Sequence, residues 1–539
     1  MDIDSPFKTS FASNIFDAKY ANANTPTWHT KAKVLVSEVC GGLLPDSEIS
    51  ELIDMIREMK FIPAGRYIYY AGQDARFYNN CFCLKAEEDT REEWARLTHA
   101  SMSCLMCGGG IGIDYSLLRG SGSILKRTGG VASGPISLME VINEAGRNVM
   151  QGGSRRSAMY ASLNWQHPDI TKFIHAKDWS YDVRALKAKD FNHPARLDMT
   201  NISVNYDDAF FEAIARGDER AKSVWMDNIM QMLTTAEPGM SINLGENSKD
   251  TLRNACTEFT SEDDSDVCNL GSVNMGNILT QYEFSRVCYL ASKFLVCGGY
   301  LSELPYDKVR IIRGRNRKIG LGLMGMHEWL LSRGYSYEMT HNLDCWLSDY
   351  VEAGEAGANA ISDQLNINRP KKYRAIAPTG TIGILASTTT GIEPLFAVAY
   401  KRRYLTNGTK WNAEYVIDAT AERLIKDHGL DPDSIETSNT LASDPERRIK
   451  FQCDVQKYVD MAISSTLNLP AFEEQKFSPE WFSDMLLRYA PKLRGITCYP
   501  DGARGGQPLT AVPYHIAKSK AGVVFDETEE KCSGGVCGL

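Results

Sequence analysis

The sequence has no apolar run long enough to cross a membrane, and its opening MDIDSPFKTS has no basic stretch leading into an apolar one. Neither a membrane-spanning nor an exported protein is expected. Positive charge is short too: 59 Lys and Arg stand against 68 Asp and Glu, a formal net charge of −9. No general field draws this surface to nucleic acid, so an anionic ligand needs a local site. There is no internal repeat and no long low-complexity linker. His327-Glu328 lacks the second histidine of a zinc-protease helix.

What is present is length and sulfur. The 539 residues allow two to four domains, or one large α/β domain with additions, around a sizeable core. Fourteen cysteines without export signals read mainly as reduced thiols. Cys40, Cys288, Cys297, Cys345 and Cys453 fit as small core residues.

Residues 46–60 carry Ile49, Leu52, Ile53 and Ile56 on one stripe, which predicts a helix capped by Asp46 or Ser47. Residues 201–217 read as strand, helix and glycine stop, and 241–247 as a strand running into a loop. Residues 374–387 read as strand, tight turn and helix start; 495–506 read as a strand ending in a turn. Such alternation predicts an α/β architecture with much parallel sheet. The last segment, FDETEEKCSGGVCGL, has few apolar anchors and reads as a tail.

Asn254, Cys256 and Glu258 alternate with Ala255 and Thr257. In an extended loop, residues two apart point the same way, so amide, thiol and carboxylate would share a site. A carboxylate there can take a proton from a hydroxyl, and an amide can orient the same substrate. The sulfur between them can act as nucleophile, thiolate or radical. The alternative is a surface loop with a chance N-x-C-x-E pattern.

Cys268 follows in CNLGSVN, and Cys81 lies far upstream. A disulfide between them needs a Cα separation of ~4.4–6.8 Å, which spacing alone does not show. As an alternative, Cys81, Cys83, Cys104 and Cys107 form C-x-C and C-x-x-C, a possible four-thiolate zinc site with one unusually tight half. Cys532 and Cys537 bracket Gly534 and Gly535, so their loop can close without strain. That pair reads as a redox shuttle; the alternative is two incidental exposed thiols.

Pro378, Thr379, Gly380, Thr381, Ile382 and Gly383 follow a strand and open a helix, which suits a phosphate. The run 108–112, GGGIG, lets a backbone or flat ring approach closely. Gly152, Gly153, Ser154, Arg155 and Arg156 join flexibility to two guanidinium groups. Residues 320–325 match G-x-G-x-x-G. The basic RGRNRK before them makes a poor buried strand, so close helix packing is the expected use of these glycines.

NNCFCL, GGGIGIDYSLLR, ASGPISLMEVINEAGRNVMQGGSRRSA, HPDITKFI, NACTE, DVCNLGSVN, APTGTIG, TGIEPLF and the C-terminal C-x4-C occur in one order along the chain. In that order the chain resembles the catalytic subunit of ribonucleotide reductase over nearly its full length. The resemblance implies a ten-stranded α/β barrel with a central finger loop. It implies a helical region at 1–62, the barrel at 63–515 and a redox tail at 516–539. It implies conversion of ribonucleoside di- or triphosphates to 2′-deoxyribonucleotides in the cytoplasm of a bacterial cell or phage-infected host.

By resemblance, Cys256 is the thiyl radical, Glu258 the base for the 3′-hydroxyl and Asn254 a ribose contact. Cys81 protonates the leaving group and then pairs with Cys268. Cys532 and Cys537 reduce that disulfide and are recharged by thioredoxin or glutaredoxin. Residues 379–383 hold substrate phosphate, while Asn80, Gly109 and Gly110 line the pocket. The segment with Gly153, Ser154, Arg155 and Arg156 is the specificity loop, with Asp89 an effector contact, and relatives often bind effector at a homodimer interface.

The family obtains its radical in different ways. A stacked Tyr-Tyr relay from a separate metal-containing beta subunit has only Tyr499 to match here, flanked by Cys498 and Pro500. The 497–502 segment is more similar to chains that use adenosylcobalamin, so that cofactor is expected. A minimal chain served by a beta subunit, through Tyr499 or Cys498, is the alternative. No glycyl-radical motif is seen, and the first ~50 residues leave no room for an ATP-cone, so on/off control by ATP and dATP is expected to be missing.

Overall fold

The computed structural model describes residues 6–79, 81–149, 157–190, 193–406, 410–503, 509–520 and 523–526. Five parallel strands form one half of a barrel: β1 (Cys81–Lys85), β2 (Gly110–Asp114), β3 (Met159–Asn164), β4 (Thr200–Asp207) and β5 (Gly239–Asn243). The other half contains β6 (Asp266–Asn274), β7 (Ile319–Met324), β8 (Thr466–Leu469) and β9 (Gly495–Pro500). β6 and β7 are parallel, as are β8 and β9. Between β7 and β8 runs an extended segment, 374–376, tied by parallel bridges Leu321↔Arg374 and Ile376↔Ile463. The nine strands and this segment make ten staves. The halves meet antiparallel, β1 on β6 and β5 on β9. A short strand, Phe61–Pro63, adds to β6 beyond β1.

Alternation along each strand sets which side chains face outward. Phe82, Leu84, Val267, Ile496 and Cys498 join a large core between the wall and its outer helices. Cys81, Cys83, Cys268 and Leu270 join a separate small cluster with Leu252, Phe259 and Met461. That second cluster is the lumen side. Thr497 and Tyr499, alternating with Ile496 and Cys498 on β9, therefore face the lumen.

The helices Ser10–Lys19, Trp28–Cys40 and Asp46–Arg57 share one continuous core with helices Gln281–Leu301 and His341–Gln364. Among the described residues no helix is long and apolar enough to cross a membrane.

Several local expectations change. The Asp46–Arg57 helix forms, but Pro45 is its N-cap and no side chain caps it; Asp46 and Ser47 lie inside. Residues 320–325 are not helix-packing glycines: 319–324 is strand β7, and the basic segment before it lies in helix Asp307–Asn316 and its end. The glycine at 322 is needed because a Cβ there would lie 2.8 Å from the Ala375 carbonyl oxygen of the neighbouring stave. Cys40, Cys288, Cys297 and Cys453 are buried as expected, whereas Cys345 is only partly buried, beside His341. A four-stranded antiparallel sheet of Ala399–Thr406, Lys410–Ile417, Leu509–Ala511 and Val524–Asp526 has no counterpart in the sequence reading. Residues 516–520 and 524–526, in the expected tail, lie in a helix and in the strand that pairs into this sheet. Cys532 and Cys537 lie outside the described residues.

Candidate active site

A hairpin enters the lumen. Leu252–Arg253 pairs with Thr260–Ser261, leaving 254–259 as its tip. Its base is fixed by Arg253, whose buried guanidinium donates to carbonyls of Leu252 (3.0 Å), Arg494 (3.1 Å), Ile242 (3.4 Å) and Asp250, and to Asn243 Oδ1 (2.6 Å). Those acceptors belong to the finger, to β5 and to the approach to β9, so one side chain ties three parts of the chain. β2 comes so close that a Cβ at Gly112 would lie 1.8 Å from the Arg253 carbonyl oxygen. Only glycine fits. Asp250 reinforces the base, accepting from Thr260 Oγ1 at 3.1 Å and pairing with Lys372 and Arg494. Burial pushes its carboxyl up, but Lys372, Lys318 and Arg494 together pull it down to about 2.

The tip is not extended, contrary to the alternation argument. Thr257 has φ +71° and its N–H donates to the Asn254 carbonyl at 3.0 Å, so the chain turns tightly. The turn gathers Asn254 and Glu258 on Cys81, while Cys256 and Thr257 stay less buried than their neighbours. Asn254 Oδ1 accepts from Phe259 N at 3.0 Å, and its Nδ2 donates to Cys81 Sγ at 2.9 Å. Cys81 Sγ lies 3.9 Å from Glu258 Oε1. Cys81 and Cys268 are direct partners across the β1–β6 ladder, both buried and both free thiols. Cys256 is only partly buried. The finger thus presents an approachable thiol over a buried dithiol.

Electrostatics divide the roles. Burial, with the nearby Glu258 and Cys256, pushes the Cys81 thiol well above the usual range. Burial does the same at Cys268, assisted by Asp266 and Glu258. Both are protonated near neutral pH. Burial raises the Glu258 carboxyl to about 7, and its Oε2 has no hydrogen-bond partner among the described residues. A carboxyl that titrates near 7 with one free oxygen is suited to exchange a proton with a hydroxyl.

Gly110 is the register partner of Cys81, and a Cβ on it would sit 3.0 Å from the Ala255 Cβ. Gly109 is buried beside it, its N–H on the Cys104 carbonyl at 3.2 Å. The 378–383 segment forms a turn and the short helix Gly380–Ala386. Thr379 has φ +51°; its Oγ1 accepts from Gly391 N at 2.8 Å, leaving the hydroxyl proton to donate. Asp89 accepts from Arg119 on the surface. Asn80, Gly153, Ser154, Arg155 and Arg156 lie outside the described residues. The zinc alternative fails on placement: Cys81 and Cys83 face the lumen, whereas Cys104 is in the outer core. Cys498 also points to the outer core and not to the finger. The sequence reading missed Arg253 and Asp250, because a charged residue beside the N-x-C-x-E pattern carries no sign of being buried.

A lumen holding two opposed thiols, a third on a hairpin and a buried carboxyl raised to about 7 has the groups of a barrel-type oxidoreductase. The comparisons narrow this. The chain matches the family described as "Ribonucleotide reductase, barrel domain" over residues 79–220, 213–346 and 369–499. It therefore belongs to the ribonucleotide reductase family. It is 27% identical to the "Vitamin B12-dependent ribonucleoside-diphosphate reductase" of Mycobacterium tuberculosis, over 90% of this chain and 74% of that protein. It is 26% identical to the protein of the same description from Thermoplasma acidophilum, over 86% of this chain and 66% of that protein. The "Actinobacillus ureae class Id ribonucleotide reductase alpha subunit" shares the fold, with TM-score 0.72 at 14% identity over 92% of this chain and 97% of that one.

Proposed function

We propose that the chain reduces ribonucleotides to 2′-deoxyribonucleotides with adenosylcobalamin as radical source. The observation that carries the reaction is the Cys81–Cys268 register with Asn254 and Glu258 gathered on Cys81. The cofactor is supported by the relatives' descriptions and by the lumen itself. Cys256 is partly buried while the dithiol is buried, so it is the one of the three that a bound group can reach, and the lumen-side Thr497 and Tyr499, likewise only partly buried, are the uncharged residues that would contact such a group. When bound, adenosylcobalamin supplies the one-electron oxidising equivalent for Cys256.

The cysteine radical at Cys256 takes the 3′-hydrogen of the ribose. Glu258 accepts the 3′-hydroxyl proton, and Asn254 orients the ribose. The 2′-hydroxyl leaves as water with the proton of Cys81. Cys81 and Cys268 then give two electrons and join as a disulfide while the remaining thiol proton, from Cys268, goes to C2′; Glu258 returns its proton to the 3′-oxygen, and Cys256 returns its hydrogen to C3′. The sum is one ribonucleotide and two thiols to one deoxyribonucleotide, one water and one disulfide. Residues 378–383 hold the phosphate, with Asn80, Gly109 and Gly110 along the pocket. Cys532 and Cys537 recharge the pair from thioredoxin or glutaredoxin. The segment with Gly153, Ser154, Arg155 and Arg156, with Asp89, relays effector identity.

The test is to mix the Cys532→Ser, Cys537→Ser chain, whose tail cannot re-reduce the pair, with cofactor and substrate without external dithiol and map disulfides by mass spectrometry. A Cys81–Cys268 link that appears only with substrate is expected. Product formed with both thiols still free would overturn the assignment.

A further inference from the structure

Two motifs set aside in the sequence, Gly325 and His327-Glu328, meet behind the phosphate turn. Glu328 is fully buried at the start of helix Met326–Leu331. Its Oε2 accepts from Thr388 Oγ1 at 2.6 Å and from Thr420 Oγ1 at 3.1 Å, and its Oε1 pairs with Arg423. Its own N–H donates to Thr389 Oγ1 at 3.3 Å, and Gly325 N donates to the Thr389 carbonyl at 2.7 Å. The contact is tight from behind as well: a Cβ at Gly276 would lie 2.6 Å from the Glu328 carboxyl carbon.

Thr388 and Thr389 are the return leg of the phosphate turn. Thr388 N donates to the Gly383 carbonyl at 3.1 Å, and Gly383 N to the Thr379 carbonyl at 2.7 Å. Gly391 N closes the ring on Thr379 Oγ1 at 2.8 Å. An unbroken hydrogen-bond path therefore runs from the Glu328 carboxylate through Thr388 and Gly383 to Thr379. The side-chain partners of Glu328 given above, Thr388, Thr420 and Arg423, belong neither to the 254–259 tip nor to the Cys81–Cys268 ladder.

We infer that Glu328, acting through Thr388, is a positioning residue that holds the 379–391 turn in the shape that receives the substrate's phosphate. This rests on the reading of 378–383 as the phosphate site. Charge-assisted hydrogen bonds in a buried site are directional, and their loss lets the turn relax. The radical chemistry at Cys256 is elsewhere, so binding should suffer and turnover should not.

The experiment measures KM and kcat for a ribonucleotide with the full chain, cofactor and a small dithiol, in Thr388→Val, Thr388→Ser, Glu328→Gln and Thr381→Val. Thr381→Val changes the turn itself. The expected result is a KM raised about tenfold in Thr388→Val and Glu328→Gln, with kcat within about twofold. Thr388→Ser, which keeps the hydroxyl, restores KM. If Thr381→Val raises KM and Thr388→Val does not, the positioning role is wrong while the phosphate site stands. If Thr388→Val lowers kcat and melting temperature without a selective KM change, and serine does not rescue it, the role is merely structural and the inference fails. If neither threonine variant moves KM, the phosphate reading fails and the positioning role falls with it.

Discussion

Glu258 shows how one residue's surroundings can set both activity and stability. Its carboxyl is raised from 4.5 to about 7, chiefly by burial. The folded chain then binds this proton more tightly than the unfolded chain does. The associated stability is complete below about pH 4.5 and is lost as pH rises through about 7. The full swing is about 3 kcal/mol. Glu258→Gln should remove that slope, so urea melts at pH 8 should show a more stable variant. The same variant should lose at least ~10²-fold in kcat, because the proton acceptor is gone. In the parent chain, kcat/KM should climb as pH rises through about 7, since the carboxylate is the working form. A flat profile from pH 6 to 8 in that parameter, or a variant with parental turnover, would remove Glu258 as the base.

At the scale of elements, the finger is held by backbone contact as much as by side chains. Gly112→Ala would force its Cβ into the Arg253 carbonyl. Overpacking of this kind costs about 1–3 kcal/mol, and here it would displace the tip that carries Cys256. The expected outcome is a lowered melting temperature with near-complete loss of kcat, and calorimetry beside a turnover assay checks both. Retained kcat would mean that the tip tolerates displacement. This scale also shows what the sequence could convey. The GGGIG run announced a close approach, and the approaching backbone is Arg253. The alternation of Asn254, Cys256 and Glu258 predicted an extended loop, and the tip turns instead. A positive φ at Thr257, which no propensity signals, brings the amide and carboxylate together. The 319–324 strand was hidden because the glycine at 322 makes room for the Ala375 carbonyl of a neighbouring stave distant in sequence. The facing of Cys81 and Cys268 is set only by strand register, a long-range property that residue spacing does not contain.

For the whole molecule, the barrel puts a polar, thiol-bearing lumen inside a wall whose outer face carries the apolar core. The proposed reaction spends the Cys81–Cys268 thiols in that enclosed site, so it needs them restored from outside. Cys532 and Cys537 are the thiols proposed for that work, so Cys532→Ser with Cys537→Ser should keep turnover with a small dithiol and lose it with thioredoxin. Parallel loss with both reductants would contradict the shuttle. The resemblance supplied the barrel and the order of its motifs. It did not supply the buried base under the finger or the small antiparallel sheet at 399–417 and 509–526, which are set by contacts between distant segments.

The most direct measurement of the central claim uses the purified chain alone with a ribonucleotide, adenosylcobalamin and a small dithiol. The expected result is deoxyribonucleotide formed over many turnovers, with none from Cys256→Ser. No product from the chain alone, together with product once a metal-loaded second protein replaces the cobalamin, would contradict it.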